Sequence, residues 1–311
     1  MKIKLPSLEL YRGNFLAAGI IVPLRTVPVA GGGLLTQLPS PGPEKTGWPW
    51  TEETLPTLYG HQTDWPKITI VTPSYNQGKF IEQTIRSVLL QNYPNLEYII
   101  IDGGSSDDTV KIIKKYTPWI SFWQSERDEG QGHAINLGFS IGSGDIRAWI
   151  NSDDYYLPEV FFQVINTFIR TKADFIYGYG LNYHPDRNFF ELIKTMPHTD
   201  YFLKIPTLIQ PSTFWKAAIH QPIWEELHCS LDFELWLRLV KGRKRHLIKK
   251  PLSVAHVHED AKTFNPEMSG KWHEDHLKIW ADDAHGRVHE WKKIVFLNRI
   301  RVKLYKILRL I

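Results

Sequence analysis

Apolar runs of strand length alternate with segments of helical periodicity through the middle of the chain. The first run, residues 68–71, is β-branched, and a second apolar run covers residues 96–101. Between them, Ile81, Ile85 and Val88 recur at the spacing of one helix face. Since strands and helices alternate at short intervals, the pattern predicts an α/β fold with a doubly wound, mostly parallel sheet flanked by helices.

The same alternation continues along the chain. Further strands are expected near residues 120–123, 146–150, 175–177 and 252–257, and further helices near 133–139, 161–169 and 231–240. Ser106 is expected to cap the helix that follows the second strand, because a Ser side chain can accept from the free N–H groups at a helix start.

Composition shifts mark the limits of this domain. Residues 67–265 hold the alternating elements, which divide into a regular half, 67–156, and a less regular half, 157–265. Residues 1–66 are rich in Pro and Gly, which predicts an irregular N-terminal extension. Residues 266–311 are expected to form C-terminal helices.

The last part of the chain is strongly basic. Between Trp291 and Ile311, seven Lys and Arg residues are interleaved with aliphatic residues, and there is no Asp or Glu. Such a helix could lie on the anionic inner face of a membrane, or it could dock on the domain with its charges in solvent. The residues alone leave both alternatives open.

The overall composition bounds the class of protein. The 311 residues carry a net charge of +4, which is too small to indicate a nucleic-acid partner. A single cysteine, Cys229, rules out an internal disulfide and suits a reducing compartment. The apolar stretch from Asn14 to Leu35 is interrupted by Pro, Gly and Arg, so it does not read as a spanning helix. We expect a cytoplasmic protein.

The most informative polar segment is a pair of adjacent acids, Asp153 and Asp154, after the apolar run 146–150. Ligands of open α/β sheets bind at the carboxyl ends of the strands, where this pair is placed. Adjacent carboxylates repel each other unless a cation neutralises them, and hard divalent cations prefer oxygen ligands. Taken alone, a helix cap beside a solvated acid is the simpler explanation.

Three motifs reverse that preference. They are Val71-Thr-Pro-Ser-Tyr-Asn, Ile101-Asp-Gly-Gly-Ser-Ser-Asp-Asp-Thr and Asn151-Ser-Asp-Asp. Together they resemble glycosyltransferase family 2, the inverting GT-A enzymes that use nucleotide sugars. The similarity covers residues 67–263 and is strongest up to Tyr156. The resemblance therefore implies the GT-A fold.

The resemblance also implies roles for individual residues. Pro73, Tyr75 and Asp102 match the residues that hold the nucleoside, and a carboxylate at Asp102 suits the imide of uridine. Asp128 matches a residue beside the donor. Asp153 is implied to face the ribose or the donor sugar.

The implied cofactor is Mn²⁺ or Mg²⁺. Asp154 matches the family's ligand to the metal that bridges the diphosphate. His258 matches a histidine that completes the metal or diphosphate site, with Lys262 near the phosphates. Many relatives have Asp where this chain has Asn151, a departure that affects a secondary contact. A cation there would stabilise the departing nucleoside diphosphate.

Asp232 matches the position of the family's general base, which takes the proton of the acceptor hydroxyl. It lies at a predicted helix start, with Glu234 as the reserve candidate. From the residues alone, the alternative is an amphipathic helix with an ion pair between Glu234 and Arg238, four residues apart.

Together these implications predict a metal-dependent hexosyltransferase that moves one sugar from a UDP-sugar to a glycan or lipid-linked acceptor in polysaccharide or glycoconjugate biosynthesis. A sugar nucleotidyltransferase is the second hypothesis, but the segment Thr72-Pro-Ser-Tyr-Asn-Gln-Gly lacks the Gly-rich, Arg- or Lys-bearing loop it requires. A catalytically silent nucleotide- or glycan-binding module is the third. It predicts damage at Asp154 or Asp232, and both acids are present.

Overall fold

The computed structural model describes residues 3–29, 31–60, 64–197, 208–259, 261–263, 265–281 and 288–308, with only the backbone for residues 288–291. The strands in these residues are β1 (Ile68–Ser74), β2 (Leu96–Asp102), β3 (Phe122–Ser125), β4 (Ile146–Trp149), β5 (Asp154–Tyr156), β6 (Phe175–His184), β7 (Phe189–Ile193), β8 (Thr213–Lys216) and β9 (Arg245–His256). The α-helices are α1 (Leu8–Ala17), α2 (Ile81–Leu89), α3 (Thr109–Tyr116), α4 (Gln131–Ile141), α5 (Val160–Thr171), α6 (Leu231–Leu239), α7 (Ser269–Ala281) and α8 (Val288–Ile307).

All of these strands join one mixed sheet. Its order is β3-β2-β1-β4-β8-β6-β9-β5, and β7 pairs with the C-terminal half of β6. Strands β1, β2, β3, β4, β6 and β9 run in one direction, whereas β5, β7 and β8 run in the other. The predicted α/β class, with a mostly parallel sheet flanked by helices, is confirmed.

The centre of the sheet is covered by helices, as a parallel sheet requires. Every residue of β1 and β2 is buried. Helix α4 approaches β1 so closely that a Cβ at Gly138 would lie 2.5 Å from a methyl carbon of Val71. Since real Cβ atoms do not come that near, a glycine is needed here for helix and strand to pack.

The N-terminal extension is more regular than its composition predicts. It contains helix α1, which begins after Ser7, whose side chain accepts the N–H of Leu10. The sequence pattern does not predict this helix. Gly13 interrupts it, and large apolar residues such as Leu10 and Leu16 are exposed, so apolar residues do not mark one buried face. The expectation of a wholly irregular segment is corrected to this extent.

The rest of the extension is fixed to the domain by a buried arginine. Arg86 on α2 is fully buried, and its guanidinium donates to the carbonyl oxygens of Pro39 (2.9 Å), Pro49 (2.9 Å) and Trp50 (2.8 Å). A guanidinium is always charged, so this burial depends on those carbonyl acceptors. The extension and the sheet therefore share one packed unit.

The expected cap at Ser106 is wrong. Helix α3 begins at Thr109, and the N–H of Thr109 donates to the carboxylate of Asp107 (3.0 Å). The backbone N–H and hydroxyl of Ser106 instead donate to Oδ1 of Asn76 (2.9 and 3.4 Å). A contact with a distant loop has replaced the local one, which sequence spacing does not reveal.

The predicted C-terminal helices are present and pack on the domain. Ile279 of α7 is fully buried, and Ile294 of α8 is 6% exposed. The side chain of Arg301 donates to the carbonyl of Pro197. In the described part of the chain, no helix is both long and apolar enough to cross a bilayer.

Candidate active site

Parallel pairing places the ends of three strands at the same edge of the sheet. Ser74 at the end of β1 lies in register with Asp102 at the end of β2. On the other side of β1, the N–H of Ile150 donates to the carbonyl of Val71 (3.0 Å), just beyond β4. The turn 151–154 therefore lies at the edge where the loops after β1 and β2 emerge, as predicted.

The loops after β1 and β2 are cross-linked. The N–H of Asn76, which has a left-handed φ of 52°, donates to the hydroxyl of Ser105 (2.7 Å). The N–H of Gly78 donates to the carboxylate of Asp107 (2.8 Å). Beside these contacts, the ring of Tyr75 is 62% exposed, whereas Pro73 is buried. The loops thus hold one free aromatic face, which suits stacking against a flat base.

Asp102 is fully buried beneath this loop pair. Its carboxylate accepts the N–H of Ser105 (2.9 Å), the hydroxyl of Ser105 (2.5 Å) and the hydroxyl of Ser125 (2.7 Å). A carboxylate offers about four acceptor positions, and these bonds use three of them. Its immediate task in the structure is to shape the loop.

Asp128 lies against the same loop. Its carboxylate accepts the N–H of Gly130 (2.8 Å), and it packs so close to Gly103 that a Cβ there would be 3.0 Å from it. Burial, reinforced by the charge of Asp102, raises the pKa of Asp128. The structure therefore brings Asp102 and Asp128 together.

The adjacent acids of the turn have different surroundings. Asp154 is buried and accepts a hydrogen bond from Asn151 Nδ2 (3.4 Å). Burial, together with the charge of Asp153, raises the pKa of Asp154 well above its usual range. Asp153 is more exposed, and its carboxylate lies 3.2 Å from Nε2 of His258. The imidazole is thus paired with the first acid of the turn, not with the second.

His256 also holds this turn. Its Nδ1 lies 2.6 Å from the backbone carbonyl of Asp153, and its ring packs against Phe80, with ring centres 5.2 Å apart. The ring of His258 stacks on Phe80 as well, at 4.6 Å. Both histidines come from the end of β9 and the residues after it, so this distant strand fixes the acid turn.

The donor set is compatible with a divalent cation but incomplete. Two carboxylates and an imidazole are ligands that Mn²⁺ accepts, and a cation would offset the burial and the charge of Asp153 that raise the pKa of Asp154. The buried Nδ1 of His258 has no hydrogen-bond partner. Among the described residues, no three His, Cys, Asp or Glu side chains converge on one point. The protein therefore offers part of a coordination shell, and diphosphate oxygens and water would supply the remainder.

Asp232 stands in the first turn of α6 and is partly buried. Burial raises the pKa of this carboxyl to about 6. Glu234 is fully buried and forms a two-pronged ion pair with Arg238, at 2.6 and 2.7 Å. Both oxygens of the reserve candidate are therefore engaged by Arg238, which makes Asp232 the better placed candidate for a base.

A third acid fixes the start of α6. Asp275 of α7 is fully buried, and its carboxylate accepts the backbone N–H groups of His228 (3.0 Å), Cys229 (2.6 Å) and Ser230 (2.9 Å). Three donors at the start of a helix are matched by one anion, which the helix dipole also favours. The chain pattern did not identify Asp275 or His256 as parts of the site, since both act on backbone atoms of distant residues.

The fold and the acid turn together define a GT-A-like glycosyltransferase. The profile described as Glycosyl transferase family 2 matches residues 69–228, and the chain belongs to this family. The match contains the loops after β1 and β2 and the acid turn, but it ends before Asp232 and His258.

Relatives share this assignment. An uncharacterized glycosyltransferase of Rickettsia typhi is 27% identical over 70% of this chain and 71% of its own length. An uncharacterized glycosyltransferase of Mycobacterium tuberculosis is 32% identical over 39% of this chain and 47% of its own. The chain is therefore an enzyme of the glycosyltransferase class.

Solved structures share the fold. Staphylococcus aureus TarS 1–349 in complex with UDP-GlcNAc has a TM-score of 0.56, with 17% identity over 75% of this chain and 72% of that one. The mannosyltransferase PcManGT from Pyrobaculum calidifontis, in complex with GDP-Man and Mn²⁺, has a TM-score of 0.56, with 14% identity over 93% and 80%. At such identities the likeness establishes the GT-A architecture alone.

Replacing Asp275 by Ala should destabilise the protein by about 3 kcal/mol, because buried N–H groups then lose their acceptor. Asp275→Asn, which keeps an acceptor oxygen, should cost clearly less. The free energy of unfolding from urea titration measures both. Asp108→Ala is the matched control, since that acid is exposed and should change stability by less than about 0.5 kcal/mol. Equal stability of D275A and D108A would show that the carboxylate does not hold α6.

Proposed function

We propose that this enzyme is an inverting, metal-dependent glycosyltransferase that moves a single hexosyl group from a UDP-sugar to a glycan or lipid-linked acceptor. The supporting observation is the convergence at one sheet edge of an exposed Tyr75, the buried Asp102 and the Asp153–Asp154 turn. This combination offers a face for a base and two acids for a bridged diphosphate. Polysaccharide or glycoconjugate biosynthesis is the process it would serve.

The donor end follows from these positions. The ring of Tyr75 covers the base, Pro73 lines the pocket wall, and Asp102 accepts the imide N–H of uracil. Asp128 closes the pocket beside Gly103. Asp153 faces the ribose or the sugar. Cytosine lacks an N–H at the corresponding ring position, which is the reason to prefer uridine to cytidine.

The diphosphate end uses the acid turn. Asp154 and His258, with Asp153 between them, would hold Mn²⁺ or Mg²⁺, in line with the Mn²⁺ in the complex of the distant neighbour PcManGT. When bound, the ion acts as a Lewis acid on the leaving diphosphate. His256 fixes the backbone of the turn that carries Asp153 and Asp154, and the two carboxylates are held in place by that turn.

The acceptor end uses Asp232. Its carboxylate takes the proton of the acceptor hydroxyl as that oxygen attacks the anomeric carbon, opposite the departing diphosphate. A pKa of about 6 leaves Asp232 ionised at neutral pH yet more basic than an ordinary aspartate. Attack from the face opposite the leaving group inverts the anomeric configuration.

The donor assignment is tested by nucleotide binding. Wild-type protein should bind UDP more tightly than CDP or GDP in calorimetric competition, and Mn²⁺ should strengthen binding. Asp154→Asn should lower the Mn²⁺-dependent UDP affinity by about tenfold or more, because the amide is a poor metal ligand. Asp186→Asn, an exposed acid between β6 and β7 changed in the same way, should bind like the wild type. Unchanged affinity in D154N contradicts the metal role, and a preference for GDP or CDP contradicts the uridine proposal.

The base assignment is tested by the pH dependence of turnover. As pH falls below about 6, Asp232 becomes protonated and kcat should drop by about tenfold per pH unit. Asp232→Asn should retain UDP affinity, lower kcat by about a hundredfold or more, and abolish this acidic limb. The exposed Asp186→Asn is the control. A D232N enzyme with near-normal turnover would show that another group takes the proton.

We also propose that the enzyme is cytoplasmic and sits peripherally on the inner face of the membrane through α8. Ile294 faces the domain, whereas Phe296, Ile300, Leu304 and Ile307 form an exposed apolar stripe. Exposed cations flank this stripe, namely Lys292, Lys293, Arg299, Lys303 and Lys306. Each cation near an anionic surface contributes about 1 kcal/mol. The two alternatives for the tail are therefore compatible, since one side docks and the other is free for lipid.

Glutamates at Phe296 and Leu304 should weaken sedimentation with phosphatidylglycerol-containing vesicles by about tenfold. The double variant L10E/L16E is the matched control, because these α1 leucines are exposed to a similar extent: 63% and 49%, against 62% and 52%. Vesicles of phosphatidylcholine alone should bind neither the wild type nor the variants. Equal binding of F296E/L304E and L10E/L16E would show that α8 does not contact the membrane.

A further inference from the structure

A chain of hydrogen bonds runs from the loop after β9 to the buried acid of the turn. Nζ of Lys262 donates to Oε1 of Gln131 (2.8 Å), and Nε2 of Gln131 donates to Oδ1 of Asn151 (2.8 Å). Nδ2 of Asn151 then donates to the carboxylate of Asp154 (3.4 Å). Three side chains from the β9 loop, the start of α4 and the end of β4 thus act on Asp154.

The direction of this chain is fixed at its lysine end. A lysine ammonium can only donate. Oε1 of Gln131 must therefore face Lys262, its amide must donate to Oδ1 of Asn151, and Nδ2 of Asn151 must face Asp154. Each amide could rotate in isolation, but in this chain a rotation of either would place two acceptors or two donors against each other.

Lys262 is itself anchored. Its Nζ also donates to the carbonyl of His228 (2.9 Å), one of the residues that Asp275 holds before α6. Gln131 is the first residue of α4, and the α6 residue Leu231 packs against the adjacent Gly132. The chain therefore connects the helix start that bears Asp232 with the turn that bears Asp154.

We infer that Lys262, Gln131 and Asn151 are positioning residues that orient the Asp154 carboxylate for the donor diphosphate. The inference rests on the proposed function, since it needs Asp154 to serve a nucleoside diphosphate. Asn151 presents a donor to Asp154, which a carboxylate could not do, and Gln131 holds the amide in that orientation.

Gln131→Glu is the sharpest test. Glutamate has nearly the same shape, keeps the bond to Lys262 and suits a helix start, so the fold should persist. Its carboxylate cannot donate to Asn151, so Asn151 is no longer held with its Nδ2 towards Asp154. We expect UDP affinity in Mn²⁺, measured by calorimetry, to fall by about tenfold. Gln163→Glu on α5, outside the site, is the matched control and should bind UDP like the wild type.

A pair of Lys262 variants distinguishes the effect of the hydrogen bond that Lys262 donates to Gln131 from the effect of its positive charge. Lys262→Gln can still donate to Gln131 and should keep UDP affinity within about threefold, whereas Lys262→Met cannot donate and should lose about tenfold. If Lys262 acted only as a charge near the phosphates, both variants would lose affinity equally. Thermal melts of all variants check that the fold is intact.

The outcomes distinguish this inference from the proposed function. A wild type that binds no nucleoside diphosphate contradicts the proposed function. Wild-type binding with unchanged affinity in Q131E, or equal losses in K262Q and K262M, overturns the inference and leaves the proposed function standing. If Mn²⁺ does not affect wild-type binding, the metal assignment fails, and the same variants compared in EDTA decide the inference.

Discussion

The parallel pairing of β1 with β2 on one side and β4 on the other is the constraint on which the site depends. Parallel strands end at the same edge, so the loops after all three must emerge together. Ser74 is thereby in register with Asp102, and Ile150 is hydrogen-bonded to Val71 just before the acid turn. A slip of this register would separate the base-binding loops from the acids, whatever the side chains were.

The second half of the site is assembled by contacts between residues far apart in the chain. His256 holds the backbone of Asp153, and Asp275 holds three N–H groups ahead of Asp232. Each contact joins a late element to an earlier loop. The geometry of the candidate site therefore depends on β9 and α7, although the family match ends at residue 228.

This division explains what the sequence could predict. The positions of Asp102, Asp154 and Asp232 follow from local signals. Asp102 and Asp154 come after apolar runs of strand length, and Asp232 stands at a predicted helix start. The parallel sheet follows from alternation alone. The roles of His256 and Asp275 could not be predicted, because each bonds to backbone atoms, which every residue has and no motif marks. The cap expected at Ser106 is wrong because its N–H and its hydroxyl both donate to Asn76 of another loop, a contact that no local pattern marks.

The charge of the acid turn explains what an amide contributes at position 151. Asp154 is buried beside Asp153, so two negative charges already oppose each other in a poorly solvated place. A third carboxylate would add repulsion and leave Asp154 without a donor. An amide removes that repulsion and supplies the hydrogen bond, but only in one of its two orientations. The amide therefore needs a neighbour that holds it in that orientation, and Gln131 does so by donating to Asn151 Oδ1.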